Sequence, residues 1–237
     1  MILYLDCLRG INAVSALGAM IDAGIDTAVL TKHLRSLPGG VELEATGSTT
    51  DGFRVRSLEV VAPGMADHRS FDEIVALMDD AALPAGARSV VLGVYGRLAA
   101  AEARVHGSTI DDVTFHEVGR PRSVVAVIGV AVTLELLGVR AVTASPVPVG
   151  AGVVETAHGR LSVPTPATLE LLRGVPVQES STAGELVTPT GAAIVAELAS
   201  SFGAMPSMTV ERIGYGADER RIPAPVTRVV VGSPPGS

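Results

Sequence analysis

At 237 residues the chain fits one large domain or two small ones, and it buries enough apolar surface to need no disulfide or metal staples. Its hydrophobic fraction is 47% but aromatics make up only 3% and Trp is absent, so the core must be Ala, Val, Leu and Ile. A net charge of −7 argues against nucleic acid or an anionic membrane as the main partner, and a single cysteine, Cys7, excludes an internal disulfide and makes a reducing compartment the default. Residues 2–5 read as a buried strand with no basic segment or cleavage site before it, so no signal peptide is expected. Asn12 can cap a helix carrying Val14, Leu17, Met20 and Ile21, ended by Gly24. A second helix is expected over 28–37, closed by Pro38-Gly39-Gly40. Residues 41–45 and 53–61 alternate like two strands of a meander. A polar loop over 63–70 leads to helices over 71–78 and 87–106.

Thr114 to Gly119 reads as a short extended segment or turn, and an apolar helix follows over 123–137. Its most apolar run, 124–134, is too short to span a bilayer and is read as a buried helix. Residues 139–145 form a strand. The stretch 145–193 is then dense in Gly, Pro and Thr, and two short helices leave from Thr165-Pro166 and Thr188-Pro189. Each has Thr at the N-cap and Pro at the first helical position, so both starts aim free N–H groups and the positive dipole end toward one region, which suits a phosphate or carboxylate. Two well-capped structural helices would have the same pattern. Late strands are expected over 208–213 and 226–231, with Ile213-Gly214-Tyr215-Gly216-Ala217 as a Gly-pinned turn presenting Tyr215. Strands and helices mix throughout, so the fold class is α/β or α+β: one domain over 1–232 with a mixed sheet and surrounding helices, and a disordered tail over 233–237.

Of five histidines, His33 lies on a surface helix, His68 in a loop, and His106 ends a long helix, where a cation near the negative dipole end needs no function. His116-Glu117 and His158 lie in Gly-bounded, non-helical segments, where scaffolds carry functional side chains. Imidazole with carboxylate suits a borderline metal such as nickel or zinc, and equally a general base with an orienting acid. Loop histidines bonded to backbone carbonyls are the plain alternative. Glu185, Thr188 and Thr190 add a carboxylate and two hydroxyls.

These motifs, in this order, resemble the LarC family, the nickel-insertion proteins of nickel-pincer cofactor synthesis. The resemblance rests on Leu5-Asp6-Cys7, Ala101-Glu102-Ala103, Val105-His106-Gly107 and Phe115-His116-Glu117-Val118-Gly119. It continues through Ser145-Pro146, Gly150, Gly152, Ala157-His158-Gly159, Val163-Pro164 and Pro166-Ala167-Thr168. Glu170-Leu171-Leu172, the run from Glu185 to Ala193 and Ile213-Gly214-Tyr215-Gly216-Ala217 complete it. It implies the fold of the N-terminal part of LarC, and a CTP-dependent cyclometallase that inserts nickel into pyridinium-3,5-bisthiocarboxylic acid mononucleotide with a divalent metal, Mg or Mn; the finished cofactor serves lactate racemase and related enzymes. His116, Glu117 and His158 would then touch metal or substrate as catalytic groups and metal ligands. Asp6, Arg122, Thr165, Thr168, Glu185, Thr188, Thr190 and Tyr215 would bind substrate.

The chain departs from the family pattern at three acidic positions. An opening L-D-x-F-S-G-I-S-G-D-M pattern places Asp where Val14 stands, and A-x-D-S-I-x-D-I after H-E-V-G places two carboxylates where Arg122 and Ala126 stand. Arg120 and Arg122 would turn a cation-attracting wall into an anion-attracting one. The C-terminal part associated with CTP is expected either on a separate chain or not at all, so CTP use by this chain alone is not expected. Two functions follow. One is a LarC-type nickel-insertion component. The other is a repurposed paralogue, an enzyme or binding subunit acting on an anionic small molecule without inserting metal. The expected partners are a small anionic or nucleotide-like substrate, and a second chain of C-terminal type in the first case, with self-association open and nucleic acid and membrane excluded. The expected location is cytoplasmic.

Overall fold

The computed structural model describes residues 1–50, 52–156, 159–220 and 223–236, the side chain of Leu8 excepted. Strand β1 (Ile2–Arg9) leads to helix α1 (Ala13–Asp22), α2 (Thr27–Leu34) and the strands β2 (Glu42–Thr50) and β3 (Phe53–Val61). A two-residue strand β4 (Arg69–Ser70) runs into α3 (Phe71–Asp80), followed by the long α4 (Ala85–His106) and a 3₁₀ turn at Ile110–Asp112. Next come β5 (Thr114–Phe115), α5 (Pro121–Leu136), β6 (Ala141–Ala144) and β7 (Val147–Pro148). The chain continues with β8 (Val153–Thr156), β9 (Gly159–Ser162), α6 (Pro166–Leu171) and β10 (Val177–Gln178). It closes with α7 (Pro189–Leu198), β11 (Ser201–Phe202), β12 (Thr209–Ala217) and β13 (Val226–Ser233). The fold is mixed α/β, as expected.

One seven-stranded mixed sheet, in the order β11-β6-β1-β13-β12-β3-β2, organises the molecule. Its central strand β13 is antiparallel to both β1 and β12, while β6 runs parallel to β1. Leu3, Leu5, Cys7, Val229 and Val231 point to one face and are fully buried, as the two-residue period of a strand requires. Burial pushes the Cys7 thiol up. Helix α5 is apolar all round and buried from Val124 to Leu134, so it packs as the centre of the helical layer with α1 and α4 as neighbours. No helix is long and apolar enough to cross a membrane among the described residues.

Helix α1 lies against the sheet at unusually short range. Asn12 caps it in a full capping box with Ser15, as the sequence predicts. A Cβ added at Gly216 would stand 2.1 Å from the Ser15 carbonyl oxygen, and one at Gly214 would stand 2.0 Å from that of Ala19. The expected Gly-pinned turn at 213–217 is therefore a misreading: these residues are the middle of β12, and the glycines serve a close helix–strand approach. Tyr215 alternates to the face away from α1.

Two further boundaries differ from expectation. The 151–162 stretch, read as loop, contains the β8–β9 hairpin, in which Val153 pairs with Ser162 and Thr156 with Gly159. Ser233, placed in the tail from sequence, closes β13 in register with Thr209.

The close approach yields a direct prediction. Gly216→Ala forces backbone apart and should cost about 3 kcal/mol or more. Gly47→Ala, where an added Cβ meets nothing within 4 Å, should stay within about 0.5 kcal/mol of wild type. Urea midpoints of the two variants measure the contrast, and equal midpoints would refute the packing account.

Candidate functional site

Four helix starts open onto one cavity of about 880 Å³. They are Asn12–Val14 at α1, Arg122 and Ser123 at α5, Thr165–Ala167 at α6, and Thr188–Thr190 at α7. Backbone pairing fixes two of them together. The Ile11 amide donates to Leu186 O at 2.9 Å and the Thr188 amide to Ile11 O at 3.3 Å, so the turn before α7 is stitched to the turn before α1. The C-terminal end of α4 supplies Glu102, Val105 and His106, the segment before α5 supplies His116, Glu117 and Val118, and the β8–β9 hairpin supplies Val154, Glu155, Thr156 and Leu161.

Of the sequence-predicted residues, His116, Glu117, Arg122, Thr165, Glu185, Thr188 and Thr190 line this cavity. Thr188 caps α7 as anticipated: its Oγ1 accepts from the Gly191 amide at 3.2 Å and lies 3.0 Å from Thr190 Oγ1. Thr165 makes no side-chain cap; its hydroxyl turns to that of Thr168 at 3.0 Å. Thr168 is wholly buried beneath the lining and does not reach the cavity. His158 lies outside the described residues.

Asp6 and Tyr215 are not in this site. They project from the sheet face opposite α1 and line a separate cavity of about 200 Å³ with Arg9, Phe53, Val226 and Arg228. Register explains the grouping, because Asp6 stands opposite Arg228 and Arg228 opposite Tyr215 across three adjacent strands. Arg228 forms an ion pair with Asp6.

The residue that sequence reasoning missed is Asp218. It is 2% exposed and lines the main cavity. Arg122 grips it with both terminal nitrogens, at 3.0 and 2.8 Å, Asn12 Nδ2 donates to it at 2.8 Å, and the Arg220 amide donates at 3.3 Å. Burial alone would raise its pKa, but the bonds and charge of Arg122, with help from Asn12 and Arg220, outweigh burial and hold it below the ordinary carboxylate value. Its only sequence signal was its place directly after the Gly214–Ala217 motif.

This pairing changes the electrostatics expected of the site. Arg122 lines the cavity, but its charge is spent on Asp218, and Arg120 does not reach the lining. Six carboxylates, those of Glu102, Asp112, Glu117, Glu155, Glu185 and Asp218, face one paired guanidinium among the described lining residues. The described lining therefore holds more carboxylates than cations, although Glu155 is itself ion-paired with exposed Arg160 at 3.2 Å. The positive ends of four helices make such a density of acid tolerable. His106, read as a helix end alone, also lines the cavity and meets Glu102 at 3.4 Å. Among the described residues no cluster of three His, Cys, Asp or Glu side chains is arranged to hold a metal ion.

The Arg122–Asp218 pair yields a pH prediction. A depressed carboxylate pKa contributes stability that is present above the unfolded value and lost as pH falls through the folded one. Arg122→Leu should therefore cost about 2–3 kcal/mol at pH 7, toward the low side for a buried pair because Arg122 is partly exposed, and lower Tm by roughly 5–10 °C. The deficit should shrink as pH falls, starting above the ordinary carboxylate value of about 4 because burial raises the Asp218 pKa once Arg122 is gone, and continuing below it until Asp218 is protonated in the wild type too. A deficit independent of pH in thermal melts would show that the pair does not carry it.

Comparison with known proteins agrees with the motif reading. The family model described as "Nickel insertion protein" matches residues 3–236. The chain is 42% identical over 231 residues to the pyridinium-3,5-bisthiocarboxylic acid mononucleotide nickel insertion protein of Desulfitobacterium hafniense, covering 97% of this chain and 58% of that one. A relative from Roseiflexus castenholzii is 43% identical over 237 residues, covering 98% and 60%, and one from Geobacter metallireducens is 43% identical over 219 residues, covering 91% and 56%. The chain thus spans under two thirds of the length of the curated relatives it matches. No solved structure matches it. With a family match running almost end to end and these identities, the chain belongs to the nickel insertion protein family.

Proposed function

We propose that this chain takes part in inserting nickel into pyridinium-3,5-bisthiocarboxylic acid mononucleotide, the substrate for which its D. hafniense relative is named. The observation that carries the proposal is the convergence of His116, Glu117 and the α7 start on one cavity of about 880 Å³, within the roughly 300–1,000 Å³ that small-molecule sites occupy. The phosphate goes to the α7 start, where the amides of the first turn and the hydroxyls of Thr188 and Thr190 present donors. Nickel, as a substrate of the reaction, enters along the acid-rich wall, with imidazole and carboxylate at His116 and Glu117 as ligands of suitable softness. His158 joins them in this proposal on sequence grounds.

The substrate's own name fixes the chemistry required. Thiocarboxylates at ring positions 3 and 5 flank C4, so an ion held by both sulfurs sits against that carbon. Cyclometallation replaces the C4–H bond by a nickel–carbon bond, and one proton must leave. In this reading Glu117 or His116 accepts it. The six-carboxylate lining repels a bare anionic substrate, so cation and substrate should bind cooperatively, with Mg or Mn, which favour oxygen ligands, able to fill the same role at Glu185 and its neighbours. CTP is assigned to a second segment or chain of C-terminal type. In the described lining the guanidinium of Arg122 is paired with Asp218, which leaves it unsuited to neutralising a triphosphate.

The test combines the chain with the pyridinium mononucleotide and Ni²⁺, with and without CTP and a C-terminal segment from a relative, and follows nickel in the product by mass spectrometry. His116→Ala and Glu117→Gln should abolish insertion. Thr190→Val should weaken binding of the mononucleotide about tenfold, the worth of one hydrogen bond to a charged group, with Tm nearly unchanged. Full insertion by both His116→Ala and Glu117→Gln would refute this assignment.

A further inference from the structure

The β4–β5 ladder carries a feature that the insertion reading leaves unused. Arg69 pairs with Phe115 and Ser70 with Thr114, antiparallel. Continued by one residue, that register sets His68 opposite His116, although the two lie 48 positions apart in the chain. Their rings meet edge to face, with centroids 5.2 Å apart and an interplanar angle of 61°. Both side chains are exposed.

The ladder beneath them is fixed. Phe115 is 1% exposed and packs edge to face on buried Tyr95, whose hydroxyl donates to Val118 O at 2.9 Å. Arg69 is buried and its guanidinium bonds Ala66 O at 2.6 Å and Gly119 O at 3.5 Å, tying the two strands together. The backbone is therefore held from below while both imidazoles stand in solvent. Two exposed rings add little to a core from which they are excluded, so packing does not account for the pair.

The ring separation matches a shared ion. Imidazole nitrogens bind divalent transition metals at about 2.0–2.1 Å, and two rings on one tetrahedral ion then have centroids about 5 Å apart. Imidazole suits nickel, copper and zinc and does not select magnesium or calcium. We propose that His68 and His116 form a two-imidazole loading site for a nickel ion beside the mouth of the cavity, with His116, which also lines the cavity, as the residue through which the ion passes inward. Two protein ligands leave the remaining coordination positions to water. Such an ion is held weakly and exchanges readily, as cargo must. Glu117, the next residue on the same segment, faces the cavity and lies on the route in. This inference rests on the insertion reading for the identity of the metal, but its test uses no pyridinium substrate and no activity.

The test titrates the metal-free chain with Ni²⁺ alone, by equilibrium dialysis and by paramagnetic broadening of the histidine ring signals. The wild-type chain should take up one ion per chain, with the His68 and His116 signals broadened first. His68→Ala and His116→Ala should each weaken uptake at least about tenfold, the scale on which metal sites respond to loss of a partner. The double variant should be little worse than either single variant, and His33→Ala should bind as wild type. Unchanged uptake in His68→Ala overturns the loading site whatever His116→Ala does. If His116→Ala alone weakens uptake, His116 as a ligand in the insertion reading survives while the pair does not. Absence of Ni²⁺ uptake by the wild-type chain also overturns the pair and leaves insertion to be judged by its own assay.

Discussion

Asp218 is the point on which the site's geometry depends. Three elements reach it: α1 through Asn12, α5 through Arg122, and the end of β12 through its own backbone. Asn12 does two jobs at once. Its Oδ1 accepts the Ser15 amide at 2.8 Å to start α1, and its Nδ2 holds Asp218. Arg122 lies in the first turn of α5, where a cation meets the positive end of the helix. Asp218 compensates that placement, and Arg122 in turn makes a nearly fully buried carboxylate acceptable. Removing any one of the three leaves a charge or a helix start uncompensated.

The close packing of α1 on β12 serves the same end. With glycine at 214 and 216, the helix backbone rests almost directly on the strand backbone, which brings Asn12 within hydrogen-bonding distance of Asp218. Alternation then sends Tyr215 to the other face of the sheet. One sequence motif thus sets the floor of the main cavity and populates the second, smaller one, and the two cavities share no lining residue.

Sequence patterns revealed most of the fold because most elements announce themselves locally. The Asn12 cap, the Thr188-Pro189 start, the period of 53–61 and the apolar run of α5 each carry their own signal within a few residues. The failures share one cause, dependence on distant partners. Gly214 and Gly216 read as turn residues because their reason, α1, lies some 200 positions earlier. Asp218 finds Asn12 and Arg122 206 and 96 positions away. The β8–β9 strands are four residues each and flanked by glycine, too short for periodicity to register. His68 gains meaning only from the β4–β5 register.

The acid count of the cavity resolves the tension between the family resemblance and its departures. Loss of acidic positions at 14, 122 and 126 suggested a site turned toward anions. The lining still holds carboxylates from other elements: Glu102 at the end of α4 and Glu185 before α7, which stand in motifs shared with the family, and Asp112 in the 3₁₀ turn and Glu155 in the hairpin, which lie outside those motifs. Arg122 then adds a fixed cation where a mobile one would otherwise have to sit between carboxylates, and Asp218 cancels it locally. Because the pair is bidentate and nearly neutral as a unit, its field falls off quickly, and the lining keeps an excess of carboxylates at Glu102, Asp112, Glu117 and Glu185, with Glu155 offset by Arg160. A site of that sign, closed by helix starts that favour anions, offers partners to a cation and an anion bound together. That suits the proposed joining of a metal ion to a ligand with anionic thiocarboxylate and phosphate groups, and three of the carboxylates concerned, Glu102, Glu117 and Glu185, stand in motifs shared with the family.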